Sequence, residues 1–234
     1  MAPDGPSFLL ERPRDLRQAS PWHRYAHHIR TMPARLQALS ADLRVPPEGR
    51  VLDYGCADVP YRHFFGPGVD FVAADLAGNP HAALELNPDS TVPAADASFD
   101  AVLSTQVLEH VGDPELYLAE SFRVLRPQGR MLLSTHGTFS YHPDPVDYWR
   151  WTCAGLRRIV GAAGFEVERF EGIVGMGATG LQLFQESIYY RVPRLVRPVL
   201  ATVIQALMAL ADRLEPAELR DMNGSVFALV ARKP

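Results

Sequence analysis

The chain has 234 residues, 47% of them hydrophobic and 21% charged, with 27 acidic residues against 23 basic ones and a formal net charge of -4. This balance excludes a disordered or fibrous chain, and it leaves no basic excess to neutralise a phosphate backbone, so nucleic-acid binding is set aside. The length favours one domain, or one domain carrying an insertion. Two cysteines, Cys56 and Cys153, cannot build a disulfide framework and lack zinc-ligand spacing, which suits a reducing cytoplasm. The opening MAPDGPSFLLERPRDLR has no apolar run before its charges and does not read as a secretory signal.

In chain order, helical spacing runs from Pro21 to Leu43 before Pro46-Pro47-Glu48-Gly49 breaks it. Short apolar runs then alternate with periodic segments. Val51-Leu52-Asp53, Phe71-Val72-Ala73-Ala74, Ala101-Val102-Leu103 and Met131-Leu132-Leu133 read as strands buried on both faces, and Glu115 to Leu125 reads as a helix. A short helix is expected from Pro60 to Phe65, stopped by Gly66-Pro67-Gly68. Thr152 suits the cap of a further helix ended by Gly164. Phe165 to Phe170 and Val226 to Ala231 read as the last two strands. Between them lies an insertion, about 175–223, with two helical segments expected. The apolar part of Leu195 to Leu214 is too short to span a bilayer, and Gln205 and Asp212 give it no basic polar face, so it reads as a buried or subunit-contacting helix. Strand-helix alternation of this kind means an α/β fold with a mostly parallel sheet and a ligand at the carboxyl ends of the strands.

Two acidic residues stand where that ligand is expected. Asp53 ends the first strand ahead of the small-residue loop Tyr54-Gly55-Cys56-Ala57-Asp58, and Asp75 ends the second. Gly55 lets the backbone pass close under a ligand. An acid at the end of the second strand is placed to accept both hydroxyls of an unphosphorylated ribose. The three positions that a dinucleotide fold fills with glycine hold Gly55, Ala57 and Pro60, so a nucleoside lacking phosphates fits better. Taken singly, Asp53 also reads as a cap and Asp75 as a solvated strand end.

Further landmarks follow in order: Val92 to Val102, Gln106-Val107-Leu108-Glu109-His110-Val111, Arg123-Val124-Leu125-Arg126-Pro127-Gln128-Gly129-Arg130, and Thr135 to Thr152. From Val51 to Gly172 the chain resembles the class I S-adenosylmethionine-dependent methyltransferases. It is similar to the type 11 group, within a subgroup associated with glycan and secondary-metabolite pathways. The resemblance implies a three-layer sandwich with a seven-stranded, mostly parallel sheet of the Rossmann-like methyltransferase type, its last strand antiparallel and a helical insertion before it. It also implies S-adenosyl-L-methionine as cofactor. Asp53 and Gly55 would hold the methionine end within a loop that includes Cys56 and Ala57, where the family usually has glycine in place of Ala57. Asp75 would bind the ribose, Leu76 would flank the adenine, Asn87 would meet its edge, and Gln106 would turn a carbonyl toward the methionine amine. The segment 1–45, with Trp22, Tyr25, His27 and His28, would be a helical lid or dock on the sheet. Residues 46–174 would be the cofactor-binding core, 175–223 an acceptor-pocket wall or homodimer contact, and 224–234 the last strand.

The activity implied is methyl transfer to a small molecule or saccharide, with O-methylation expected. A hydroxyl acceptor needs a base, and His110, His136, His142 and Asp147 qualify by position, a histidine being suited by its ordinary pKa of about 6.5. His142 ranks first and His136 second, with Asp147 expected to orient the His142 imidazole. His136, His142 and Asp147 also read as ligands of iron or zinc, but their spacing matches no tight ligand pattern, so no metal is expected. Arg150 is expected to pair with a carboxylate, and at least one of Trp149 and Trp151 to anchor its loop. Two other activities share these residues: cofactor binding that supports a cyclisation without methyl transfer, and a non-catalytic partner subunit.

Overall fold

The computed structural model describes residues 20–143 and 146–234. In chain order it contains α1 (Ala26–Ser40), β1 (Arg50–Tyr54), β2 (Asp70–Asp75), β3 (Leu84–Glu85), β4 (Phe99–Thr105), α2 (Pro114–Val124), β5 (Leu125–His136), α3 (Cys153–Ala162), β6 (Glu166–Ile173), α4 (Met176–Tyr189), α5 (Arg197–Leu214), α6 (Ala217–Asn223) and β7 (Val226–Arg232). The seven strands form one mixed α/β sheet in the order β3-β2-β1-β4-β5-β7-β6. β1 pairs in parallel with β2 and with β4, and β4 pairs in parallel with β5. β7 reverses the direction: Gln128 and Gly129 of β5 bond to Lys233, while Gly137, just past β5, bonds to Ser225. Rising numbers on one strand thus meet falling numbers on the other. The reversal matches the expected antiparallel last strand.

Three of the four apolar runs are covered on both faces, whereas Phe71 and Val72 of β2 are only half-buried. Val51, Leu52, Ala101, Val102, Leu103, Met131, Leu132 and Leu133 are all fully buried. A sheet with helices on both sides hides alternate residues equally, so its strands carry no polar face. Asp113 caps α2 through a 3.0 Å bond to the Leu116 amide, with Pro114 in the first turn.

Local chemistry moved some boundaries. The helical spacing from Pro21 yields a helix only from Ala26. The helix expected from Pro60 to Phe65 shrinks to one 3-10 turn, Arg62–Phe64. The insertion holds three helices, the third being the seven-residue α6 after Pro216.

The chain divides into two compact units. Of the described residues, one comprises 20–36, 136–143, 146–153 and 171–227; the other comprises 37–135, 154–170 and 228–234. In the first unit the N-terminal segment is tied to the insertion by buried polar bonds. Gln185 and Gln205 each donate to the Arg24 carbonyl at 2.7 Å, and Gln205 Oε1 accepts from the His27 amide at 2.7 Å. His27 Nε2 meets Asp212 Oδ2 at 3.0 Å, while Asp212 Oδ1 accepts from the Gly175 amide. No helix among the described residues is long and apolar enough to cross a membrane.

Candidate functional site

In the second unit, the turn after β1 is bolted to the end of β2. The Gly55 and Cys56 amides both donate to the Ala74 carbonyl, at 2.9 and 3.0 Å. From below, the Tyr117 hydroxyl of α2 donates to the Tyr54 carbonyl at 2.9 Å, and the two tyrosine rings stack at 4.0 Å. Gly55 has φ 85°, and a Cβ there would lie 2.6 Å from Val107 Cγ2. Only glycine fits the conformation and the space.

Ala57 and Val59 have φ 46° and 56°. Left-handed backbone costs an L-residue roughly 1–2 kcal/mol, and more for a β-branched one. The loop keeps the shape that glycine would take at Ala57, and it does so partly through Asp75. Asp75 Oδ2 accepts from the Ala57 amide at 3.0 Å and from Asn79 Nδ2 at 2.7 Å. Asp75 Oδ1 accepts from the Leu76 amide at 2.8 Å, which leaves that oxygen a second lone pair. Asn79 drew no attention in the sequence, yet its amide bridges Asp75 and the Ala57 carbonyl.

Asp53 is 1% exposed, and its Oδ2 has no hydrogen-bond partner among the described residues. Burial, with the Asp75 carboxylate adding to it, pushes its carboxyl up to about 7. A buried carboxylate in this position lacks a cation or donor. Burial likewise pushes the Cys56 thiol up to about 12, so Cys56 is an unreactive wall of the turn. Gln106 leaves β4 with φ 57°, its amide on the Ser134 carbonyl and its side chain on Ser134 Oγ. Beyond it Glu109, fully buried, accepts from Thr135 Oγ1 at 2.9 Å. Leu76 is 46% exposed; Asn87 is exposed and donates to Thr91 Oγ1.

These residues fit the cofactor expected from the sequence. Asp53 Oδ2 suits the cationic amine of a methionine moiety, and Asp75 Oδ1 has capacity for a ribose hydroxyl. The left-handed Gly55 turn keeps backbone low between them.

The first unit gathers imidazoles around one phenyl ring. Phe139 stacks on His136 at 4.3 Å with an 8° interplanar angle, and His142 meets His136 edge-on at 5.8 Å. His28 and Tyr25 complete the surround at 5.5 and 6.2 Å from Phe139. His136 is buried, whereas His142 is half-buried. Burial takes His28 down to about 3, so this ring is neutral at working pH, with Nε2 on Ser225 Oγ at 3.0 Å.

The expected role of Asp147 needs correction. Its carboxylate does not reach the His142 imidazole; Oδ2 accepts from the His142 backbone amide at 2.7 Å, and both oxygens accept from Arg150. A carboxylate filled by a guanidinium fork and an amide orients main chain, not a ring. Arg150 pairs with a carboxylate as expected and also donates to the carbonyls of Phe139 and Ser140, at 3.2 and 2.7 Å. Trp149 and Trp151 stack at 5.8 Å, and the Trp151 amide donates to the His136 carbonyl. Asp144 and Pro145, inside the same stretch, lie outside the described residues. Among the described residues no three His, Cys, Asp or Glu side chains gather as metal ligands.

Comparison with known proteins agrees with this geometry. The family described as methyltransferase domain matches residues 22–169. A probable S-adenosylmethionine-dependent methyltransferase of Mycolicibacterium smegmatis is 33% identical over 145 residues, which is 58% of this chain and 51% of that protein. The ubiquinone biosynthesis O-methyltransferase of Azorhizobium caulinodans is 32% identical over 127 residues, 46% of this chain and 50% of that protein. The chain spans about half the length of the curated relatives it matches. Among solved structures, the [4+2]-cyclase SpnF shares the fold with a TM-score of 0.56 at 21% identity, over 96% of this chain and 85% of that one. A domain match across more than half its length, on a sheet of this order with an acid at the carboxyl end of each of its first two strands, shows that the chain belongs to the class I S-adenosylmethionine-dependent methyltransferases.

Proposed function

We propose that this chain methylates an oxygen of a small molecule or saccharide, with His142 as the base. When bound, S-adenosylmethionine supplies a methyl group on a positively charged sulfur, open to attack by a nucleophilic oxygen. Asp53 binds its cationic amine through Oδ2, Asp75 its ribose through Oδ1, and the Gly55 turn carries both acids at a fixed separation. Leu76 and Asn87 bound the adenine, and Cys56, Ala57 and Gln106 contribute backbone.

A ring nitrogen of His142 takes the proton of the acceptor hydroxyl, as a histidine acting as general base does. Half-buried, with its main chain held by Asp147, it can meet a dissolved acceptor. His136 supports it edge-on and is the second candidate. The observation that carries the reading is the buried Asp53 oxygen left without a partner beside the left-handed turn.

Mass spectrometry of products from phenolic, aliphatic and saccharide acceptors tests the activity; a product heavier by one methyl group supports it. A product of unchanged mass would assign the fold to a cyclisation instead. His142→Ala should lower kcat by about 10²-fold or more while leaving S-adenosylhomocysteine affinity intact. Unchanged turnover removes His142 as the base.

A further inference from the structure

Helix α5 has two apolar faces and uses only one. Ala201, Ile204, Gln205, Met208 and Asp212 are buried against the rest of its unit, α4 included. On the other side Val199, Val203, Leu207, Leu210 and Leu214 are exposed, continuing a stripe that starts with Leu195 and Val196 before the helix. The steps of three and four residues keep these side chains on one line along an α-helix. Each retains between 47% and 93% of its surface, and covering all seven would remove apolar area on the order of the ~800 Å² that each partner gives to a standard interface. A stripe this large is more than a monomer ordinarily leaves open.

The geometry points to a second copy of this chain as what covers it, with the two α5 helices antiparallel about a two-fold axis near Ala206. This inference is independent of the methyl acceptor. Two features of the stripe support it. Small exposed residues, Thr202, Ala206 and Ala209, alternate with the large ones. In an antiparallel pair centred on Ala206, Val203 of one copy faces Ala209 of the other, and Leu210 faces Thr202. Large side chains therefore meet small ones, and Ala206 allows the axes to approach closely.

Charge is also segregated by end. Arg191 and Arg194 are exposed at the amino end of the stripe and Glu218 at the other, whereas Arg197 donates to the Val192 and Tyr190 carbonyls and Glu215 accepts from the Met176 and Gly177 amides of α4. Antiparallel pairing sets the basic end of each copy against the acidic end of its partner, twice, while a parallel pair sets like against like. Arg213 follows the stripe on the exposed side, near Val199 of the partner, and keeps its guanidinium at the rim.

Sedimentation velocity of the full chain at micromolar concentrations should give twice the 25.9 kDa chain mass. Leu207→Glu should yield a monomer with an unchanged circular dichroism spectrum, the Kd rising more than about tenfold. Arg194→Glu and Glu218→Arg should each weaken the dimer, and the two together should restore it, which tests the pairing even if Leu207→Glu fails to fold. A wild-type chain that stays monomeric overturns the inference. So does a dimer indifferent to all three changes, or a monomer that co-sediments with phosphatidylglycerol vesicles.

Discussion

Replacing Asp53 by Asn should make the ligand-free chain more stable at neutral pH while weakening its hold on the cofactor. Asp53 is buried, one of its oxygens has no partner, and its carboxyl is pushed up to about 7. Against the ordinary Asp value of about 3.9, ionising it in the folded chain is harder by about 4 kcal/mol. From about pH 4 to about pH 7 the unfolded chain has released a proton that the folded chain still holds. Native stability therefore falls as pH rises through that window, and the loss is complete above it. Asn carries no charge to desolvate, but its amide N–H groups bring about 1–3 kcal/mol of unsatisfied donors. The net gain at about pH 8 is then about 1–3 kcal/mol, shrinking or reversing near pH 4.5. Urea unfolding followed by circular dichroism at both pH values measures it. Calorimetric titration with S-adenosylhomocysteine should show affinity about ten- to a hundredfold weaker, the worth of one hydrogen bond to a charged group. An Asp53→Asn chain less stable than wild type at about pH 8, or a difference that ignores pH, would refute the reasoning.

Gly55→Ala should destabilise the chain by about 1–3 kcal/mol, because the new Cβ meets Val107 at 2.6 Å on a backbone of φ 85°. Adding Val107→Ala should recover the packing share and leave roughly 1 kcal/mol of backbone strain, as read from thermal melts of the four chains. Arg150→Ala releases the carbonyls of Phe139 and Ser140 and the Asp147 carboxylate, so kcat should fall by about tenfold or more with S-adenosylhomocysteine affinity unchanged. Arg150→Lys, which keeps the charge and loses the fork, should do nearly as badly; wild-type turnover in both variants would remove Arg150 as a positioning residue.

The central strands were legible because two-sided burial writes itself into the sequence as unbroken apolar runs, as at Val51-Leu52 and Ala101-Val102-Leu103. β3 was not, since Leu84–Glu85 offers two residues and no period. Helix α6 was hidden within the insertion for the same reason of length. At the cofactor turn, Asp53, Gly55 and Asp75 stood out because strand ends and a glycine mark them locally. Asn79 did not, because its importance lies in folding back onto Ala57 and Asp75 from a loop of ordinary composition. The imidazole cluster was harder still. His28 and Phe139 are 111 residues apart in sequence, and only tertiary packing makes them neighbours. Asp147 illustrates the converse. Its nearness to His142 in sequence suggested an orienting pair, but Arg150, three residues on, offers a bidentate fork and takes the carboxylate first.

The buried amides of Gln185 and Gln205 reach the carbonyl of Arg24, and one carboxylate, Asp212, serves both His27 and the start of α4. Stretches of chain nearly two hundred residues apart are therefore locked to a common set of donors and acceptors. Relatives that reshape one stretch must reshape the other in step, since either alone would strand a polar group in the dark. Sequence change in this lineage should thus proceed by paired substitutions, visible as covariation between positions near Arg24 and positions near Gln205.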